Sequence, residues 1–364
     1  MAQSKTTITS VTGPLVINGV TIEDVAREAD VSTATVSRVM NGNDGVRDKT
    51  RQKVLDTAKR LGYVVNQQAK RLAGGHSNVI GLMVREVVTG YVGEIIRGID
   101  EMLAEFDYDL MLHTTHRKGT DEASHVMSLT RSLADGLLLV LPREPGNYLQ
   151  TLRQLQFPHV LIDHIGLNDG SPAVSATNRK GAFEGTRYLI ALGHRQIGFI
   201  TGDMSLGCSR ERLDGYREAL QAADISVDPT LICKGTFHQP EGYICARTLL
   251  QLPNPPTAIF ASNDVMAFGV MEAARDLGLR IPDDVSIIGF DDIPQSSSVN
   301  PPLTTVKQPL QEMGRVATQV LMECVREGRP CQTLTELPTE LVIRQSCAAP
   351  KARARLTHTG TPDL

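Results

Sequence analysis

Apolar positions repeat at two different periods along this chain, and the period changes near residue 79. Before that point the spacing is helical. Ile22, Val25, Ala26 and Ala29 fall at i, i+3, i+4 and i+7 behind Thr21, a good N-cap with Asp24 placed as a weaker capping-box acid. Asp30-Val31 leaves room only for a tight turn. Ser32 can cap a second helix to Met40, with Val36, Val39 and Met40 as a narrow apolar stripe and Asn41-Gly42 as its end. Asp48–Leu61 predicts a third helix with Val54, Leu55, Ala58 and Leu61 inward and Gly62 as stop. Residues 21–63 therefore read as an all-α, helix-turn-helix head.

From Val79 onward, short apolar runs at Val79–Val84, Tyr108–His113, Gly136–Leu141, His159–Asp163, Gln196–Thr201, Ala258–Ala261 and Ser286–Phe290 alternate with helical stretches. Those stretches include Tyr91–Phe106, Arg179–Leu192, Ser209–Ala222 and Asp264–Leu277. Such alternation predicts an α/β protein with parallel sheets, and the strands are too many for one compact sheet. Two lobes follow, with a ligand cleft at the carboxyl ends of the strands. Residues 1–20 read as a flexible leader, 64–76 as a linker ending at Gly74-Gly75, 77–348 as the sensor and 349–364 as a disordered tail.

Charge sharpens this division only slightly. The net charge is −4, yet residues 21–75 carry ten Lys/Arg against seven Asp/Glu, and 76–364 hold a net −8. A locally basic head on an acidic body suits polyanion binding. The six cysteines show no C-x-x-C spacing and read as reduced, buried thiols without a metal or disulfide role. His113-Thr-Thr-His116 reads as two partly exposed histidines, so no metal is expected. No export signal, apolar run near the roughly 18 residues of a membrane span, Walker motif or paired-carboxylate signature is present, so the expectation is a cytoplasmic protein that is neither an enzyme nor dependent on a cofactor.

On the second helix, Thr33 and Ala34 occupy the first turn, where side chains reach base edges, and Arg38 can pair bidentately with guanine. Ser32, Thr35, Ser37 and Asn41 suit phosphate contacts that set register. A three-helix bundle without nucleic acid remains open here, with Ser32 only a cap and Arg38 only a surface charge. In the sensor, Asp163, Asn263 and Asp291 each follow an apolar run, Arg212 lies early in a helix, and Tyr91 and Phe237 can supply aromatic faces. Polar groups around aromatic walls suit a hydroxyl-rich molecule, a sugar or polyol. The alternatives are that Asp291-Asp292 turn a loop and that Phe237 is core.

Thr21–Tyr63, with Thr-Ile-x-Asp-Val-Ala-x-x-Ala-x-Val-Ser-x-x-Thr-Val-Ser-Arg-Val-Met-Asn and Leu61-Gly62-Tyr63, resembles the head of the lactose/galactose repressor (LacI/GalR) family. The resemblance continues through Arg97-Gly98-Ile99, Asp135-Gly136, Leu192-Gly193-His194-Arg195, Arg212-x-x-Gly215-Tyr216, Asn263-Asp264-x-Met266-Ala267, Gly289-Phe290-Asp291-Asp292 and Pro301–Val306. It implies a periplasmic-binding-protein-like sensor, one lobe about 77–177 plus 307–337 and the other about 178–306 plus 338–348. It makes 64–76 a hinge helix that folds on a pseudo-palindromic double-stranded operator, with Asn66, Ala69, Lys70 and Arg71 against the DNA and Leu72 wedging a base step. The implied function is a homodimeric regulator, a repressor, controlled by a small effector between the lobes. Family effectors are sugars, or nucleobases in one branch. A transporter-feeding solute receptor would share the lobes but has no use for Thr21–Leu72. Two departures stand out: Arg85-Glu86-Val87-Val88-Thr89-Gly90-Tyr91 replaces the family's Pro-Asp-x-x-Asn-Pro before an aromatic pair, and Arg47-Asp48 replaces its Ser-Pro at the third helix, which leaves Asp48 to do the capping.

Overall fold

The computed structural model describes residues 20–40, 44–63, 76–87, 90–115, 122–132, 134–142, 146–164, 170–328 and 334–351. They fall into two compact units, 1–77 and 78–364.

In the first unit the apolar stripes become three helices, α1 (Ile22–Ala29), α2 (Thr33–Met40) and α3 (Asp48–Leu61). The capping box at α1 forms: Asp24 N donates to Thr21 Oγ1 at 3.3 Å, and Thr21 N donates to Asp24 Oδ2 at 3.0 Å. Asp30 ends α1 at φ 52° and Gly62 ends α3 at φ 69°, both left-handed. Val25, Ala29, Val36, Val39, Val54 and Ala58 close the shared core. Two expectations at α3 fail. Leu55 is 40% exposed, because Thr57 turns inward beside Ala58 instead. Asp48 does not cap, since Arg47 holds the N-cap position without a side-chain bond and Asp48 sits in the first turn, where its charge still suits the helix dipole.

The second unit has two six-stranded sheets. Lobe 1 contains β1 (Val79–Val84), β2 (Asp109–Thr114), β3 (Gly136–Val140), β4 (His159–Ile162) and β5 (Ala173–Ala176). Helices α4 (Gly90–Ala104), α5 (Glu122–Ser132) and α6 (Gly146–Gln154) connect them. Lobe 2 follows with α7 (Asn178–Ala191), β6 (Ile197–Thr201), α8 (Gly207–Ala222), β7 (Ile232–Lys234) and α9 (Gln239–Leu250). It continues with β8 (Ala258–Ala261), α10 (Asp264–Asp276), β9 (Ser286–Asp291) and β10 (Thr304–Lys307). The chain then returns through α11 (Leu310–Glu327) and β11 (Leu334–Leu337) to lobe 1, and ends with β12 (Glu340–Val342) in lobe 2.

Strand orders are β11-β5-β4-β3-β1-β2 and β12-β10-β9-β8-β6-β7, parallel throughout except for the edge strand β12, which pairs antiparallel with β10. The fully buried β3, β6 and β8 are the inner strands the pattern requires, apolar apart from Thr201 and buried on both faces. In lobe 1, Ile80, Leu82, Ile95, Ile99, Met313 and Leu321 pack α4 and α11 onto the sheet. In lobe 2, Phe199, Tyr216, Phe260 and Phe290 fill one face of the sheet.

Three crossovers join the lobes, at Ala176–Asn178, Lys307–Leu310 and Leu337–Glu340. Two of them are tied together: Thr339 N donates to Thr177 Oγ1 at 2.9 Å, and Thr177 N donates to Leu337 O at 2.9 Å. The expectation of unpaired thiols fails at Cys324, which is disulfide-bonded, and at Cys233 on β7 and Cys245 on α9, which form a disulfide with Cα atoms 5.7 Å apart. Twelve residues of separation hid the pairing, because it arises from packing α9 on β7. Among the described residues no helix is long and apolar enough to cross a membrane.

Candidate DNA-reading surface and cleft site

On the head, α2 turns Val36 and Val39 inward, which leaves Ser32, Thr33, Ala34 and Arg38 exposed and Thr35 and Ser37 half-exposed on the opposite side. Ser32 is the cap: its Oγ accepts from Thr35 N at 3.1 Å and lies 2.9 Å from Thr35 Oγ1. Two hydroxyls are thus held at the first turn beside the free end of a short helix, with Arg38 one turn on. Small, hydroxylated and cationic side chains on one open face can approach phosphates and base edges closely. Asn41, Asn66, Ala69, Lys70, Arg71 and Leu72 lie outside the described residues.

In the sensor, Tyr91, Asp163, Arg212, Phe237, Asn263 and Asp291 surround one cavity of about 80 Å³ at the carboxyl ends of the strands. Each lobe supplies part of it. From lobe 1 come Arg85 and Glu86 after β1, Tyr91 and Val92 on α4, Leu141 after β3 and Asp163 after β4. From lobe 2 come Cys208 and Arg212 on α8, Thr236, Phe237 and His238 between β7 and α9, Asn263 after β8, and Asp291 ending β9.

Arg212 is the centre of this arrangement and only 2% exposed. Its Nε donates to Asn178 Oδ1 at 2.8 Å, and its Nη1 donates to Ser262 O at 2.6 Å. Asp291 Oδ1 lies 3.6 Å from Nη1, and Asp163 Oδ2 lies 3.9 Å from Nη2. The Phe290 ring packs against the guanidinium, with Cζ 3.8 Å from the ring centroid. Tyr91 OH donates to Asp163 Oδ2 at 2.7 Å, and Gln308 Nε2 donates to Asp291 Oδ1 at 2.8 Å. A buried guanidinium is tolerable only with this many partners, because charge transferred from water is costly unless paired and hydrogen-bonded.

Asp163 (φ 54°), Phe237 (φ 73°) and Asp291 (φ 113°) all adopt left-handed backbone conformations. Such strain collects where surrounding structure over-determines a side chain's aim. For Phe237 the determinants are visible: Asn263 Nδ2 donates to its carbonyl at 3.0 Å, and its ring lies so close over Gly202 that a Cβ there would come within 2.0 Å of Cζ. Asn263 Oδ1 also caps α10 by accepting from Met266 N at 2.9 Å. Asp292, next to Asp291, pairs with Arg344 at 2.7 Å.

Burial sets the electrostatics. It raises Asp291 well above the usual carboxylate range, while Arg212 pulls it back down. Burial also lifts Asp264 to about 7, although Ser296, Thr305 and the Ile293 amide all donate to it. Tyr91 is held well above its ordinary value, by burial first and then by the Asp163 charge.

Asn178 is the residue that sequence reasoning missed. It begins α7 at a crossover, is 1% exposed, and donates to Asp163 Oδ1 at 3.3 Å while accepting from Arg212. One amide thus joins a lobe 1 carboxylate to a lobe 2 guanidinium. Its only signal was its place two residues after the run Ala173–Ala176, just beyond Thr177. Glu86, Thr236 and His238 were likewise missed.

The profile of bacterial regulatory proteins, lacI family, matches residues 21–66, and that of the periplasmic binding protein-like domain matches 186–347. The HTH-type transcriptional repressor PurR of Histophilus somni (strain 129Pt) is 34% identical over 327 residues, which are 90% of this chain and 98% of that protein. A transcriptional regulator CelR–cellobiose complex is 32% identical, with a TM-score of 0.69, covering 90% of this chain and 99% of the other. The lac repressor dimer bound to operator and the anti-inducer ONPF is 28% identical, with a TM-score of 0.80 and coverage of 91% and 100%.

Proposed function

Because this chain belongs to the LacI family of bacterial regulatory proteins, DNA-binding transcriptional regulators with a ligand-binding domain and not enzymes, we propose that it is a cytoplasmic repressor whose effector is a sugar or polyol held around Arg212. The observation that carries this reading is the single cavity in which carboxylates, an amide and a guanidinium converge beside the Phe237 ring. Asp163 and Asp291 accept from ligand hydroxyls, Arg212 donates, and Phe237 covers the apolar ring face. The cellobiose named with CelR is a ligand of that same general class.

On the DNA side, Thr33, Ala34 and Arg38 read base edges while Ser32, Thr35, Ser37 and Asn41 hold phosphates. Two heads of a homodimer read the half-sites of a pseudo-palindrome, and Asn66, Ala69, Lys70, Arg71 and Leu72 contact its centre. Effector in the cleft changes the angle between lobes and with it the pairing of the hinges. Coupling of this kind is about 1–3 kcal/mol, or roughly 5–150-fold in operator affinity.

Thermal unfolding against cellobiose, ribose, simple polyols and nucleosides tests the effector class, since a ligand that binds only the folded state raises the midpoint. Stabilisation by nucleosides alone would replace the sugar by a nucleobase. Salt-dependent mobility shifts on a palindromic duplex test the head. Arg38→Ala should relax base preference, and an unaltered preference would remove Arg38 from the reading surface.

A further inference from the structure

The Cys233–Cys245 disulfide brackets one wall of the cavity. Cys233 lies on β7, the edge strand of its sheet, paired in register with Ile200 of β6. Cys245 lies two turns into α9. Between them runs Gly235-Thr236-Phe237-His238, of which the last three face the cavity. At one end Gly235 N donates to Thr201 O at 3.1 Å; at the other, Gly242 N donates to His238 O at 3.2 Å. Phe237 in the middle carries its left-handed backbone and is held by Asn263. Thr236 Oγ1 is buried without a hydrogen-bond partner, a polar atom available to whatever enters.

We propose that Cys233 and Cys245 form a reversible thiol–disulfide switch whose state sets the mobility of the Gly235–His238 wall and so tunes the effector site. The Cα separation of 5.7 Å lies within the disulfide range of about 4.4–6.8 Å, so the bond closes without moving the backbone. A cross-link over 12 residues restricts the segment between its ends; without it, the wall rests on non-covalent contacts, namely the Asn263 bond, the two backbone anchors, the packing of Phe237 on Gly202 and the His238–Glu86 contact.

Hydrogen peroxide is the oxidant class. The half-buried Cys233 meets it first: its thiolate attacks one peroxide oxygen, the O–O bond breaks, and a sulfenic acid forms with loss of water. The buried Cys245 sulfur then displaces the sulfenic oxygen as a second water, so two thiols and one peroxide give one disulfide and two waters. A small-molecule dithiol reverses it by exchange. The free cysteines Cys208 and Cys347 are poor competitors: burial pushes both thiols up, Cys347 to about 11, which keeps them protonated.

This tuning rests on the reading of the cavity as the effector site, and the test separates the two. The full chain is reduced with dithiothreitol or oxidised with stoichiometric peroxide, and peptides are mapped without reduction. Hydrogen exchange of the segment 235–238 is followed in both states. The expected result is a Cys233–Cys245-linked peptide and exchange slowed about tenfold in the wall on oxidation, lost in Cys233→Ser and in Cys233→Ala, with the other lobe unchanged. Failure to find that linked peptide, or a linked peptide with unchanged exchange at 235–238, overturns the switch. A saccharide, polyol and nucleoside panel is run by thermal shift on both states. Silence in both overturns the effector reading, while a linked peptide with slowed exchange supports the switch whatever the panel gives.

Discussion

The two lobes of the sensor share one architecture but hold the cavity in different ways. Lobe 2 contributes side chains already tied to their own scaffold: Arg212 to Ser262 O, Asn263 to Met266 N and Phe237 O, and Phe237 to the floor at Gly202. Lobe 1 contributes side chains whose bonds lead toward the site or across it. Tyr91 ends on Asp163, Glu86 lies 3.3 Å from His238, and Arg85 lies 3.8 Å from Asp203. Under the proposed reading this is a division of work, with lobe 2 as a preorganised binding wall and lobe 1 as the half that a ligand would move. Asn178, at one crossover, connects the working groups of both, and Gln308, at another, donates to Asp291 of lobe 2.

The largest test removes the centre of the preorganised wall. Arg212→Ala leaves Asp163 and Asp291 buried without their cation, and breaking such a pair costs about 3–5 kcal/mol. The expected outcome is therefore a lower unfolding midpoint together with loss of ligand-induced stabilisation. Calorimetry that returned normal ligand affinity would show that lobe 2 does not anchor the ligand through this side chain.

Next comes the pH dependence of lobe 2. Burial raises the folded-state pKa of Asp264 to about 7 and raises Asp291 in the same direction. Between the unfolded value near 4 and the folded value, the native protein binds more protons than the unfolded chain, so stability falls as pH rises. This contribution is complete below about pH 4 and gone once pH has passed through about 7. Asp264→Asn should flatten the midpoint-against-pH profile between those limits. An unchanged slope would assign it elsewhere.

The comparison also explains what sequence could and could not reveal. Long apolar runs such as Gly136–Val140 and Ala258–Ala261 announced central strands, because a strand buried on both faces must be apolar at every position. β11, with alternating exposure, and the three-residue β7 and β12 carried too little pattern. Of the six expected cleft residues, Asp163, Asn263 and Asp291 were legible because polar side chains following apolar runs sit at strand ends, where the topology collects them, whereas Arg212, Tyr91 and Phe237 were singled out by residue type and helix position. Asn178 lies one residue further on, after Thr177, and its role depends on contacts 15 and 34 residues away that no local pattern encodes. Glu86 and His238 face each other from different lobes, and only the closed chain pairs them.

Within lobe 1, Tyr91→Phe removes one hydroxyl donor from Asp163 while keeping the buried ring. Hydrogen bonds to charged groups contribute about 1.5–3 kcal/mol, but Asn178 remains on the other oxygen of Asp163, so the lower end is expected. Ligand affinity should drop about tenfold with lobe 2 unaffected, as read by unchanged hydrogen exchange in α8 and α10. Slower or faster exchange there would mean that the two lobes do not divide the work as described.

The smallest effect belongs to the rim. Glu86 and His238 are each about one-third exposed, with side-chain exposures of 28% and 34%, and Arg85 and Asp203 sit at 32% and 20%. Contacts of this exposure contribute about 0–1 kcal/mol, and the Glu86–His238 one becomes an ion pair, screened by salt, when the imidazole is protonated. Glu86→Gln should therefore leave the unfolding midpoint almost unmoved. Its effect belongs in the balance between open and closed lobes, because this contact joins one lobe to the other and disappears when they part. A small rise in the rate of ligand release at low salt, vanishing near 1 M salt, is the expected signature in stopped-flow measurements. A salt-independent change would mean that Glu86 contacts the ligand itself, and lobe 1 would then share the binding wall rather than only close over it.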